Sequence, residues 1–197
     1  MKRKRSGHAE RKTKETAVSV DWCLDGSGTY EIQTGIGFFD HMLSLLARHG
    51  LFDLKVSCQG DLEVDSHHTV EDVGICMGEA LDKALGSKTG IERYGLSYVP
   101  MDDALARVVV DISGRPHIVF GSAELLPRVG EYDTEVTEEF FKSVAEHGKL
   151  NVHLDLIRGS NTHHCLEALF KAFGKALDRA TARSERIEGV MSTKGTL

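Results

Sequence analysis

Val18, Val20, Trp22 and Leu24 alternate with polar neighbours, the two-residue period of a strand buried on one face. Asp25-Gly26-Ser27-Gly28 reads as a hairpin turn, with residues 30–34 as the returning strand. A helix follows, with Asp40 as its N-cap, Gly50 just past its end, and Met42, Leu43, Leu45 and Leu46 on its apolar face. Phe52, Leu54, Val56 and Cys58 alternate again. Residues 68–85 then place Val70, Val73, Met77, Leu81 and Ala84 at helical spacing. The same order repeats: Ala104, Ala106, Val108, Val110 and Ile112 alternate, Ser113-Gly114-Arg115-Pro116 turns, and residues 117–125 return. A helix over 134–147, a strand through Leu150, Val152, Leu154 and Leu156, and a helix over 162–183 complete the second half.

Individual residues support a duplication. His41 and His49 are eight positions apart, as are Glu139 and His147, and His67-His68-Thr69-Val70-Glu71 matches His163-His164-Cys165-Leu166-Glu167. Neither half is large enough to bury its helices alone. The predicted fold is therefore α+β, with duplicated strand-strand-helix-strand-helix halves whose helices pack between two mostly antiparallel four-stranded sheets. The expected layout is a solvated basic tail over 1–10 and a single domain over 11–197. That domain holds pseudo-repeats over about 11–92 and 93–185 and a C-terminal tail over 186–197.

Lys+Arg 24 against Asp+Glu 30 leaves a net charge of −6, which argues against nucleic acid or an anionic membrane as the main partner. No uncharged apolar run approaches the ~18 residues of a membrane helix. Lys2-Arg3-Lys4-Arg5 lacks the apolar stretch of a secretory signal. Cys23, Cys58, Cys76 and Cys165 are scattered without a C-x-x-C pair, so reduced thiols and a cytoplasmic location are expected. The ten histidines are the compositional anomaly, since imidazole is the commonest protein ligand for metals.

On a helix, His67 and Glu71 project within roughly 40° of each other, while His67 and His68 diverge by roughly 100°. His67 with Glu71, and His163 with Glu167, can each grip one metal, and His68 and His164 are aimed elsewhere. Pseudo-symmetry offers a solution. One site takes His163, Glu167, His68 and His41; the other takes His67, Glu71, His164 and Glu139. Mixed nitrogen and oxygen donors without thiolate suit Mn²⁺, Fe²⁺ or Zn²⁺, and open positions beyond four favour manganese. A single HHxxE would read as solvated histidines at a helix start; two copies in register, each with a third partner, read as metal sites. His8 reads as tail, His117 and His153 as strand residues, and His147 as a trace of the duplication.

Gly35-Ile36-Gly37-Phe38-Phe39-Asp40-His41-Met42, the first HHTVED, Ser113-Gly114-Arg115-Pro116, the second HHxxE and Ser192-Thr193-Lys194-Gly195 together resemble the imidazoleglycerol-phosphate dehydratases of histidine biosynthesis. The resemblance spans nearly the whole chain from about Glu10. It implies a fold like ribosomal protein S5 domain 2, two Mn²⁺ per active site, and a metal-dependent 24-subunit shell built from trimers with metal sites between subunits. Glu139 stands where the family often has a histidine ligand, and a carboxylate there also binds Mn²⁺.

The implied reaction removes water from a chain whose C–H is not acidic and whose hydroxide leaves poorly. A Mn-bound imidazolate, its pKa lowered by the metal, solves both problems by pushing electrons toward a diazafulvene-like intermediate. The resemblance implies Glu15 as the base that takes the neighbouring C–H proton. His49 and the ligands His41, His67, His68, Glu71 and His163 are implied to line the substrate. Arg93, Arg115, Lys171, Ser192, Thr193 and Lys194 are implied to hold the phosphate, with Arg offering forked donors and Lys a point charge. A two-metal phosphatase or phosphodiesterase would call for Asp-rich bridging ligands, and a metal-storage shell would leave the Arg and Lys set without a purpose.

Overall fold

The structure is a computed structural model that describes residues 4–121 and 125–197. Strands β1 (Ser6–Lys12), β2 (Thr16–Cys23) and β3 (Tyr30–Gln33) are followed by α1 (Gly37–Gly50), β4 (Asp53–Gly60) and α2 (His67–Leu85). The second half runs β5 (Tyr94–Met101), β6 (Ala104–Asp111), β7 (His117–Gly121), the short pair β8 (Arg128–Val129) and β9 (Tyr132–Asp133), α3 (Val136–His147), β10 (Asn151–Arg158) and α4 (Thr162–Thr181). One sheet has the order β1-β2-β4-β3 and the other β5-β6-β10-β7, so each half contributes one four-stranded sheet. Two of the three pairings in each sheet are antiparallel. The duplicated α+β architecture with helices between two sheets is as the sequence predicts.

The alternating positions face inward as expected: Val20, Trp22, Ala106, Val108 and Val110 are fully buried. Between the sheets, α2 lies against α3 and α1 against α4. Glycine makes both crossings possible. A Cβ on Gly174 of α4 would meet the Leu46 carbonyl of α1, and one on Gly78 of α2 would meet the Val144 carbonyl of α3. The edge strands use the same device: Gly7 lies against the Ala80 backbone and Gly95 against the Ala176 backbone, so β1 and β5 sit flush on α2 and α4. Phe140, Phe141, Phe170 and Phe173 fill the centre as a chain of aromatic contacts.

Four expectations are corrected. Residues 4–10 are no solvated tail, because β1 pairs along its whole length with β2 and Arg5 is anchored to Asp25 and to the Thr181 carbonyl. Lys2 and Arg3 lie outside the described residues. Each half therefore opens with one more strand than the alternation predicts. Asp25-Gly26-Ser27-Gly28 makes no hairpin: β4 inserts between β2 and β3, and β3 runs parallel to β4. The crossing loop is fastened by Asp53, whose carboxylate accepts from Ser27 N at 2.8 Å and Thr29 Oγ1 at 2.7 Å. These donors hold that carboxyl well below its usual range. The turn at Ser113-Gly114-Arg115-Pro116 likewise leads to β7, which is parallel to β10, and residues 122–124 of the strand expected there lie outside the described residues.

Finally, α1 begins at Gly37 rather than after Asp40, and Asp40 accepts from Thr34 N at 2.9 Å within the first turn. Gly50 is the last residue of α1, and Leu51 takes the left-handed cap conformation with φ 56. No helix among the described residues is long and apolar enough to cross a membrane. The four cysteines are unpaired, and burial pushes the Cys76 thiol up to about 12.

Candidate active site

Helix α4 starts at a capped end: the Asn161 side chain accepts from His163 N and His164 N. From there His163, Glu167 and Lys171 follow at four-residue spacing and share one face. Because α1 crosses α4 closely, His41 reaches the same spot. His41 Nε2 and His163 Nε2 each lie 3.0 Å from Glu167 Oε1, and Lys171 Nζ bonds the other carboxylate oxygen. Burial alone would raise the Glu167 carboxyl, but the Lys171 ammonium and the two imidazoles bring it down to about 2. His41, His163 and Glu167 offer two nitrogens and one oxygen within 4.8 Å of one another, a donor set that fits Mn²⁺, Fe²⁺ or Zn²⁺. Among the described residues, no other three such donors converge.

Three of the four members of the first expected set thus meet in one chain, and His68 does not join them. Its Nδ1 lies 3.1 Å from Asp61 Oδ2, which raises its pKa, with Glu15 adding to the effect. The second expected set stays apart within the chain. His164 Nδ1 is 2.8 Å from Asp103 Oδ1, and Glu139 pairs with Lys142 at 3.2 Å. His67 stands edge-on to His68, and Glu71 is half-buried on the face of α2 toward Lys142. Asp61 and Asp103 are histidine partners that sequence reasoning missed, since nothing in the spacing links Asp103 to a histidine 61 positions away.

Glu15 is exposed at the β1–β2 tip, and no hydrogen bond or ion pair engages its carboxylate among the described residues. His49 lies further along α1; burial first, then the nearby Lys171 and Lys175 charges, lower its pKa. The expected phosphate-binding residues are gathered with one exception. Arg93, Arg115, Ser192, Thr193 and Lys194 line a single cavity of about 560 Å³. Asp111 holds Arg93 through two contacts, and Arg93 Nη1 donates to the Met191 carbonyl at 2.8 Å, which pins the C-terminal segment over the cavity. Lys171 is the exception: it sits beside Glu167. A cluster of metal donors and a basic cavity therefore occupy different parts of one chain.

The imidazoleglycerol-phosphate dehydratase profile matches residues 34–177. The Acetivibrio thermocellus imidazoleglycerol-phosphate dehydratase is 55% identical over 193 residues, covering 98% of this chain and 99% of that protein. The Clostridium acetobutylicum enzyme of the same name is 54% identical with full coverage of both. Among solved structures, the Staphylococcus aureus imidazoleglycerol-phosphate dehydratase superposes with a TM-score of 0.81 at 42% identity, over 91% of this chain and 99% of that one. A Pyrococcus furiosus relative gives 0.83 at 35% identity, over 96% of this chain and all of that one. With a full-length match and the same fold, this chain belongs to the imidazoleglycerol-phosphate dehydratase family.

Proposed function

We propose that this protein is a hydro-lyase that dehydrates imidazole glycerol phosphate to imidazole acetol phosphate in histidine biosynthesis, in the cytoplasm, as a metal-dependent 24-subunit assembly of trimers with two Mn²⁺ per active site. The observation that carries the reaction is family membership over the whole chain. The metal assignment is supported by the convergence of His41, His163 and Glu167. His67, Glu71, His68, His164 and Glu139 are exposed or half-buried, and complete the two ligand sets across subunit boundaries. That arrangement accounts for donors that do not meet within one chain. Bound there, Mn²⁺ supplies Lewis acidity that lowers the pKa of the substrate's ring and lets the ring donate electrons.

The chain's own residues divide the remaining work. Arg93, Arg115 and Lys194, with the Ser192 and Thr193 hydroxyls, hold the phosphate and so fix the distance from phosphate to ring. Glu15 takes the C–H proton next to the departing hydroxyl, and no partner among the described residues competes for its carboxylate. His49 lines the substrate, with Lys171 beside it. The enol left by loss of water relaxes to the ketone. A phosphatase would instead need bridging carboxylates, and the convergent donors here are mainly imidazoles.

The test is direct. Purified protein with Mn²⁺ and imidazole glycerol phosphate should form an enolisable ketone with no release of inorganic phosphate. Phosphate release without ketone would overturn the assignment. Light scattering of the same sample before and after chelation reads the assembly: smaller oligomers, trimers foremost, support the metal-held shell, and an unchanged particle contradicts it.

A further inference from the structure

The second histidine of each HHxxE element is held from behind by a carboxylate. His68 Nδ1 is 3.1 Å from Asp61 Oδ2, and His164 Nδ1 is 2.8 Å from Asp103 Oδ1. A carboxylate at Nδ1 keeps the proton there and leaves Nε2 as the lone-pair nitrogen, the form of imidazole that ligates a metal. We infer that Asp61 and Asp103 are positioning residues that fix the tautomer and direction of His68 and His164, an inference that rests on the metal-site reading above.

The two halves reach this result by different routes. Asp103 sits at the tip of the β5–β6 hairpin, eight residues past Gly95, and Glu15 sits at the tip of the β1–β2 hairpin, eight residues past Gly7. Gly7 and Gly95 pack on α2 and α4 in the same way, so Glu15 and Asp103 are counterparts. In the second half the tip carboxylate anchors the histidine. In the first half the anchor is Asp61, the residue after Gly60. A Cβ on Gly60 would meet Thr69 and one on Gly159 would meet Cys165, so Gly159 matches Gly60. The counterpart of Asp61 is therefore Ser160, which donates to Asp103 instead of holding a histidine. With the anchor at Asp61, the tip carboxylate of the first half, Glu15, has no hydrogen-bond or ion-pair partner among the described residues. The duplication has thus yielded two held imidazoles, one anchored from a hairpin tip and one from the end of β4, and one tip carboxylate without a partner among the described residues.

The surroundings of the two aspartates give opposite expectations for the same substitution. Asp103 Oδ2 accepts from Ser160 N at 2.6 Å, Ser160 Oγ at 2.8 Å and Asn161 N at 3.1 Å. In Asp103→Asn these three donors claim the amide oxygen and turn the NH₂ group toward His164 Nδ1. The ring must then carry its proton on Nε2, the wrong nitrogen for a ligand. The Asp61 side chain has no partner but His68 among the described residues, so Asp61→Asn can present its oxygen to Nδ1 and keep the native tautomer.

The experiment uses the full-length protein labelled with ¹⁵N-histidine, with Mn²⁺ as probe. In metal-free ¹⁵N spectra, the His164 signals (assigned by their loss in His164→Gln) should show protonated Nδ1 in the wild type and protonated Nε2 in Asp103→Asn. Mn²⁺ affinity should fall 10–100-fold in Asp103→Asn and in Asp61→Ala, and stay near the wild-type value in Asp61→Asn. An Asp103→Asn protein with the wild-type tautomer, or an Asp61→Ala protein with wild-type Mn²⁺ affinity, overturns the inference. A wild type that binds no Mn²⁺ overturns the metal reading instead, and the tautomer spectra, which need no metal, still decide the positioning role.

Discussion

Gly174→Ala tests whether the close α1–α4 crossing builds the His41–His163–Glu167 cluster. A methyl group at Gly174 would lie 2.5 Å from the Leu46 carbonyl oxygen and 3.2 Å from Gly50 N. Both are backbone atoms, so no rotamer change relieves the contact, and the helices must part until the methyl reaches the roughly 3.5 Å of an ordinary contact. Overpacking of this kind costs about 1–3 kcal/mol, and a clash with two backbone atoms belongs at the upper end. Replacing glycine inside a helix returns about 1 kcal/mol. The net loss is about 1–2 kcal/mol, or roughly 2–8 °C in Tm for a chain of this size. Parting the helices also draws His41 away from Glu167, so Mn²⁺ affinity should weaken while the basic cavity around Arg115 is unaffected. Thermal denaturation and Mn²⁺ titration read both effects. Gly37→Ala is the control, since a Cβ there meets nothing within 4 Å, and its melting should match or exceed the wild type. If Gly174→Ala melts at or above the wild-type temperature with unchanged Mn²⁺ affinity, the crossing does not position the site.

Glu15→Gln should keep metal content and particle size but reduce turnover by about 10²–10⁴, the usual contribution of a positioned base, and wild-type turnover would remove Glu15 from that role. Arg115→Ala should raise KM for the phosphorylated substrate about 10–100-fold with Mn²⁺ content unchanged, the scale of one lost charge-assisted hydrogen bond; an unaltered KM would take Arg115 out of the phosphate cavity. Asp53, held below its ordinary 3.8 by Ser27 and Thr29, contributes stability that is present above that value and lost as pH falls below it. Denaturant midpoints at pH 7 and 3.5 should therefore fall more steeply for wild type than for Asp53→Asn, and equal slopes would refute the crossover anchor.

The duplication was legible because buried positions recur at fixed periods and because HHxxE appears twice in register. The edge strands were not legible. In β1 only Ala9 is buried, too few inward apolar residues to make a pattern. In β5 the larger side chains Tyr94, Leu96 and Tyr98 face outward, while Gly95 and Ser97 face α4 because the helix lies too close for anything bulkier. The pattern there is inverted by packing. The false hairpin at Asp25-Gly26-Ser27-Gly28 has a similar origin: turn residues signal that the chain reverses or crosses, and the strand that inserts between β2 and β3 comes later in sequence. At the site, the proposed ligand residues repeat and so announce themselves. Asp61 and Asp103 occupy different places in the two halves, and only the folded chain brings each to its histidine.

Counting bound manganese in catalytically active protein bears most directly on the central claim. Two Mn²⁺ per active site are expected in the wild type, falling in both Glu71→Ala and Glu167→Ala as each ligand set loses a carboxylate. Full activity in protein free of transition metal, or a manganese count that neither substitution lowers, would contradict it.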